Sequence, residues 1–196
     1  MAIVTTFVKV IGVIFAMHIV LLVVQYLIGA AIDRKSPFKC LKLMLPAYFT
    51  ALGTASSAAT IPVTLRQTKE MGVDPAVADF TIPLCATIHM AGSALKLVAC
   101  ALALMILQGH TYDLGMFAGF IAMLGITIIA APGVPGGAVM AALGLFTSML
   151  GFSEADNALM IALYIAMDSF GTACNVTGDG ALSLIVDRVF GHRNNS

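Results

Sequence analysis

A chain of 196 residues in which 60% are hydrophobic and only 10% charged is far more apolar than an ordinary soluble domain, and this composition places it in a bilayer. Ten basic and ten acidic side chains leave a formal net charge of zero, so nothing supports a general electrostatic attraction to nucleic acid. Cys40, Cys85, Cys100 and Cys174 lie far apart with no C-x-x-C spacing, which points to small buried thiols rather than a disulfide framework or a metal knuckle.

A spanning helix needs about 20 apolar residues, and the segments 3–32, 80–107 and 158–186 meet that length. The first is uncharged from Val10 to Ile32, longer than the core of about 7 to 15 residues in a signal peptide, and reads as a retained transmembrane helix. Two further uncharged segments are interrupted. Segment 44–65 carries Pro46, Gly53, Ser56, Ser57 and Pro62, and segment 114–151 carries APGVPGG at 131–137. Proline removes an amide donor and glycine loosens the backbone, so each segment predicts a hairpin rather than one continuous helix.

Basic residues favour the cytoplasmic side of a membrane. Here eight of the ten fall in three groups: Arg34, Lys35, Lys39 and Lys42; Arg66 and Lys69; Arg188 and Arg193. All three face the cytoplasm, with the C-terminus, when segment 44–65 dips into the bilayer and returns. Segment 114–151 then begins and ends outside, and charge leaves open whether it dips or crosses twice. Irregular backbone at membrane depth survives only where it is buried in protein or lines a wet cavity. Two tips entering from opposite faces therefore imply a cavity between them, and broken helices in corresponding halves point to a transporter site. The units 1–65 and 80–151 share such a layout, a helix followed by a hairpin.

In the last segment Asp168, Thr172, Asn175 and Asp179 are spaced i, i+4, i+7 and i+11, which puts them within about 60° of one another on one helix face. One wall of an apolar helix thus presents oxygen and amide groups. No nucleophile and base pair, P-loop or dinucleotide fingerprint occurs, and GVPGGA opens no βαβ unit, so the pattern excludes the common enzyme signatures.

Four motifs in order, TASSAATIPVTLRQTKEMGV at 54–73, TIHMAGSAL at 87–95, APGVPGG at 131–137 and MDSFGTACNVTGD at 167–179, resemble the dicarboxylate/amino acid:cation symporters, which include the glutamate transporters and bacterial serine/threonine carriers. They are similar to that family's serine-rich first hairpin, the N-M-D-G-T segment of its seventh helix, its second hairpin tip and its eighth helix. The resemblance implies an all-α polytopic membrane protein with three transmembrane helices and two re-entrant hairpins entering from opposite faces. Residues 1–196 would form the transport-domain core of an elevator-type carrier in the cell membrane, of the bacterial inner-membrane kind. The family's first five scaffold helices are not represented, and a homotrimer is implied where a scaffold region is present.

The resemblance also implies roles. Ser56 and Ser57 would meet the substrate carboxylate, and Gly133, Val134 and Ala138 would form the gating second tip. Asp168 would hold the substrate ammonium, with Thr172, Asn175 and Met90 beside it. Asp179 and Asn175, with carbonyls near Cys85, would line one cation site, and Thr87, His89 and Met90 with carbonyls of Ile128, Ile129 and Ala131 a second. No cofactor is implied beyond the coupling ion, sodium, with a proton as the alternative.

Departures from the family pattern refine these expectations. Acidic-substrate members carry an arginine at positions that are Gly171 and Ala55 here. A second buried carboxylate would then lack its partner, which predicts a small neutral amino acid such as serine, threonine or alanine. The asparagine and aspartate of N-M-D-G-T are His89 and Ala91, so a third cation site loses its carboxylate and an imidazole that changes charge near neutral pH enters. Lys96, two turns further on, is expected to snorkel or to face a scaffold. The alternative function is a truncated or split, non-transporting membrane module that assembles with a separate scaffold partner.

Overall fold

The computed structural model describes residues 2–191; Arg193, counted above among the basic groups, lies outside them. The described residues form α1 (Ala2–Ile32), α2 (Pro37–Leu43), α3 (Leu45–Thr54), α4 (Ser57–Glu70), α5 (Pro75–Ile88), α6 (Ala91–Gln108), α7 (Leu114–Ile128), α8 (Gly137–Leu150), α9 (Glu154–Ala166) and α10 (Asp168–Phe190), with no strand among them. Residues 8–32 and 75–108 are long and apolar enough to cross a bilayer, and α9 with α10, bent by 60° at their junction, makes a third when the pair is one span.

The interrupted segments each fold into a helical hairpin. In the first, α3 ends with Ala55 in the left-handed region (φ 48°) and Ser56 caps α4, accepting from the Ala59 N–H at 3.2 Å. Asp113 caps α7 in the second, accepting from the Met116 N–H at 2.8 Å, and α8 starts behind Gly136, whose φ of 76° is the left-handed backbone that glycine adopts without a steric penalty. Arms of 10 and 14 residues, and of 15 and 14, all fall short of the roughly 20 needed for a crossing.

The hairpins run toward each other along α10. The first has its base beside the end of α10, where the Asp74 N–H donates to Asp187 Oδ1 at 2.9 Å. The second begins and ends near the pairing of Gln108 with Asp156. Their tips meet at the start of α10: Ser56 Oγ donates to the Gly133 carbonyl at 3.0 Å and the Ala58 N–H to the same oxygen at 3.3 Å. One apolar cluster, with Leu97, Phe120, Phe146 and Met160, packs the second hairpin against α6 and α9. Another, with Tyr26, Met44, Ala47, Val176 and Leu184, packs the first hairpin and α1 against α10.

Unbroken helices over 80–107 and 158–186 are the expectations that the structure corrects. The first stops at Ile88 and resumes at Ala91, and the second breaks at Met167. No proline stands at either break. Instead the free ends are satisfied from distant parts of the chain, as helix termini must be. Asn175 Oδ1 accepts from the N–H groups of Gly92 and Ser93 at 2.8 and 3.3 Å at the first break, and Lys96 Nζ donates to the Tyr164 and Met167 carbonyls at 3.4 and 3.3 Å at the second. A sequence window sees none of these partners.

Helix α1 lies close against α10 because Gly29 has no side chain: a Cβ there would sit 2.6 Å from the Ala181 carbonyl oxygen, whereas one on Gly12 meets nothing within 4 Å. Gly29→Ala is therefore expected to cost about 1 to 3 kcal/mol of stability through overpacking, while Gly12→Ala is neutral or gains up to about 1 kcal/mol of helix propensity. Reversible unfolding in detergent micelles measures both; equal effects of the two substitutions would contradict the close approach.

Candidate functional site

Where the tips meet, a small pocket of about 20 Å³ is lined by Ser57 from the first tip, Gly133, Val134 and Ala138 from the second, Met90 from the break between α5 and α6, and Asp168, Thr172 and Asn175 from α10. These are eight of the nine residues expected to touch substrate. Ala55, Ser93, Pro132 and Tyr164 complete the lining. A space of this size admits about one water, so the tips are closed. The ninth residue, Ser56, stands outside this lining: in the closed arrangement its hydroxyl is engaged by Ala59 and Gly133 of the two hairpins, which makes it a latch. Larger cavities lie on the outer face, such as one of about 540 Å³ between α1 and α6, but their walls are apolar and offer no converging polar groups.

Both oxygens of Asp168 are held by the protein. The Gly136 N–H of the second tip donates to Oδ2 at 2.7 Å, and Lys96 Nζ donates to Oδ1 at 3.2 Å. The expectation that Lys96 snorkels or faces outward is thereby corrected: its side chain has no exposed surface. Its register on α6 turns it toward α10, where the Tyr164 and Met167 carbonyls at 3.4 and 3.3 Å complete its shell. A lysine amid apolar residues reads equally well as snorkelling, and only the crossing of α6 over α10 decides which way it points.

Asp179, three turns on, is 1% exposed and also meets a side chain. His89 Nδ1 donates to its Oδ1 at 2.7 Å, from the non-helical stretch that the break in the α5–α6 span creates. The other ring nitrogen faces Gln25 of α1, with Nε2 to Nε2 at 3.1 Å. With the proton on Nδ1, a neutral ring accepts there from the Gln25 amide. Gln25 Oε1 is buried with no hydrogen-bond partner, so a turn of that amide would offer an acceptor to a doubly protonated ring. Gln25, a lone amide in an apolar helix, is a site residue that the sequence reading missed although the signal was present. Tyr164 and Ser93 were missed with no such signal.

The remaining cation-site expectations divide. Cys85, Ile128 and Ala131 are buried. Thr87 and Ile129 are exposed, and the Thr87 hydroxyl turns back to the Leu84 carbonyl at 2.8 Å, so neither side chain faces inward. Asn175 is engaged at both ends: Oδ1 caps α6, and Nδ2 donates to Ser93 Oγ at 2.9 Å. The Ile128 carbonyl accepts from the Ala131 N–H at 3.0 Å. Of the side chains expected at the cation sites Asp179 is the one carboxylate, and in this arrangement its Oδ1 is taken by the His89 N–H.

Residues 1–189 match the sodium:dicarboxylate symporter family. Excitatory amino acid transporter 2 of Homo sapiens is 34% identical over 154 residues, covering 78% of this chain and 27% of the relative. Excitatory amino acid transporter 1 of Rattus norvegicus is 35% identical over 197 residues, covering 93% of this chain and 35% of the relative. Excitatory amino acid transporter 4 of Mus musculus is 33% identical over 168 residues, or 83% and 29%. The chain thus spans about a third of the length of the curated relatives it matches. With that match running through both hairpins and both broken helices, the chain belongs to the sodium:dicarboxylate symporter family.

Proposed function

We propose that this membrane protein carries the substrate and ion sites of a secondary transporter for a small neutral amino acid, coupled to sodium and working by alternating access. The observation that carries this reading is the pair of hairpin tips latched to each other directly over Asp168. Opening the second tip withdraws the Gly136 N–H from Asp168 and breaks the contacts of Gly133 with the first tip. That frees one carboxylate oxygen for a substrate ammonium and exposes Ser57 and Thr172 in the same pocket. Amide and hydroxyl groups on the two tips are suited to a carboxylate at the other end of the amino acid.

The absence of side-chain cations at Gly171 and Ala55 supports a neutral substrate. Lys96 does not supply the missing charge to a second carboxylate, since its ammonium is turned onto Asp168. An acidic side chain would be buried without a partner, a loss of several kcal/mol. Coupling follows by linkage: a cation that binds the tip-closed, substrate-filled state more tightly than the open one favours closure, and substrate in turn favours the cation. Sodium as that cation would draw on Asp179.

Orientation follows from the basic groups. Lys35 Nζ donates to the Gly72 carbonyl at 2.9 Å, and Asp74 meets Asp187, so the loops that hold the first two groups and the end of α10 lie together. This supports one cytoplasmic side for all of them, the C-terminal end included, and, where scaffold helices accompany the chain, the homotrimer of an elevator carrier.

A second reading, proton coupling, is favoured by one contact. His89 stands on Asp179 at 2.7 Å, the position from which an imidazolium would supply the positive charge that a sodium ion otherwise brings.

Two outcomes test these readings. Labelled L-serine bound to the reconstituted chain is expected to be displaced by serine, threonine or alanine at concentrations at which L-aspartate has no effect; displacement by aspartate at lower concentration than by serine removes the neutral assignment. Serine uptake is expected to follow an imposed sodium gradient at constant pH, in wild type and in His89→Gln alike. Uptake that follows only a proton gradient and loses that dependence in His89→Gln would select the proton reading instead.

A further inference from the structure

Among the described lysines and arginines, Lys96 is the one with no exposed surface. A buried ammonium is tolerated only when it is matched, and four groups match this one. They are Asp168 Oδ1 at 3.2 Å, the Tyr164 and Met167 carbonyls at 3.4 and 3.3 Å, and the face of the Tyr164 ring, whose centroid is 3.4 Å from Nζ. The Tyr164 carbonyl belongs to the last turn of α9, where the helix dipole favours a cation, and the Met167 carbonyl to the junction of α9 with α10. Space for the ammonium comes from Gly171: a Cβ there would sit 3.1 Å from Nζ and 3.3 Å from Cε. Lysine at 96 and glycine at 171 are therefore complementary, since a side chain at 171 would push the ammonium aside.

The consequence lies at Asp168. While Lys96 holds Oδ1 and the Gly136 N–H holds Oδ2, the carboxylate has two donors and no net charge to offer a third. Lys96 differs from Gly136 in what it keeps after letting go, because two carbonyls and an aromatic face still hold it. It can release Oδ1 without being stranded.

Resting on the reading of the pocket as an amino acid site, we propose that Lys96 is a tethered stand-in for the substrate ammonium: it neutralises Asp168 whenever no amine occupies the pocket, and an incoming amine takes the carboxylate by displacing it. The tether has two effects. Closing the tips over a bare carboxylate would strand a charge in an apolar interior, and Lys96 removes that obstacle, so the tips close without substrate. It also lowers the apparent affinity for any amine by the fraction of molecules in which Asp168 is already taken.

Titration of L-serine into the purified full chain in detergent with sodium, followed by calorimetry, tests this. Lys96→Met is expected to tighten serine binding by about tenfold or more. Gly171→Ala, which keeps the lysine but places a methyl group against its Nζ, is expected to shift affinity in the same direction by less, and it decides alone should Lys96→Met fail to fold. Affinity that is unchanged or weaker overturns the proposal. A separate readout needs no amino acid. Lys96→Ala leaves a hole beside Asp168, and its thermal unfolding midpoint is expected to rise by several degrees in n-propylammonium chloride but not in n-propanol. Should neither wild type nor variants bind serine, the amino acid reading fails, and the propylammonium comparison alone decides the role of Lys96; no difference from propanol overturns it.

Discussion

The structure depends on one constraint, that every polar group carried into an apolar interior has to find its partner within the protein. Helix α10 is where the constraint is most severe, because it is buried on all sides from Gly171 to Ala181 and still carries Thr172, Asn175, Thr177 and Asp179. Much of the rest of the fold can be read as the set of partners those groups require, the Thr177 hydroxyl being the one left without a partner among the described residues. Asn175 caps α6, Tyr26 of α1 donates to the Thr177 carbonyl at 2.7 Å, His89 meets Asp179, and Lys96 with the second tip meets Asp168. Together these contacts join α10 to α1, to α6, to the break before α6 and to the second tip, so the polar wall of this helix also fixes how the other helices are placed around it.

The same contacts explain why the long helices break. A continuous helix through His89 and Met90 would hydrogen-bond its own backbone and leave Asn175 without the amide donors of Gly92 and Ser93 that it now accepts from. Breaking the helix exchanges local bonds for long-range ones at little net difference, and in return the freed backbone and the His89 ring reach α10. A break is thus a site component and not a defect. The two tips follow the same logic, since their short arms leave unpaired backbone groups that pair with each other and with Asp168.

Two of the buried carboxylates of α10 meet a side chain that can bear positive charge, Lys96 at Asp168 and His89 at Asp179. On the proposed reading a mobile cation would use each of these positions, an amine at one and a monovalent ion at the other. Two internal groups in those places make the closed arrangement self-sufficient in charge, and whatever the protein carries has to exchange with them. The two differ in how they can yield. Lysine keeps its charge and moves on a flexible stem between acceptors, whereas histidine can also give up a proton where it stands.

Much of this was legible in the chain itself. Composition established a membrane protein, prolines and glycines located both hairpin tips, and a spacing of i, i+4, i+7 and i+11 put the oxygen-bearing residues on one face of the last helix, because helical periodicity is a local property that neighbours in sequence determine. Gln25 was legible too, as a solitary amide in an apolar run, and went unread. What only the tertiary structure decided were the breaks at 89–90 and 167, the latch role of Ser56 and the inward turn of Lys96. The first break, the latch and the lysine are settled by partners between 68 and 83 residues away in sequence, and at the second break α9 and α10 meet at a bend of 60°. Residue order dictates which groups need partners, and packing in three dimensions dictates which partners they get.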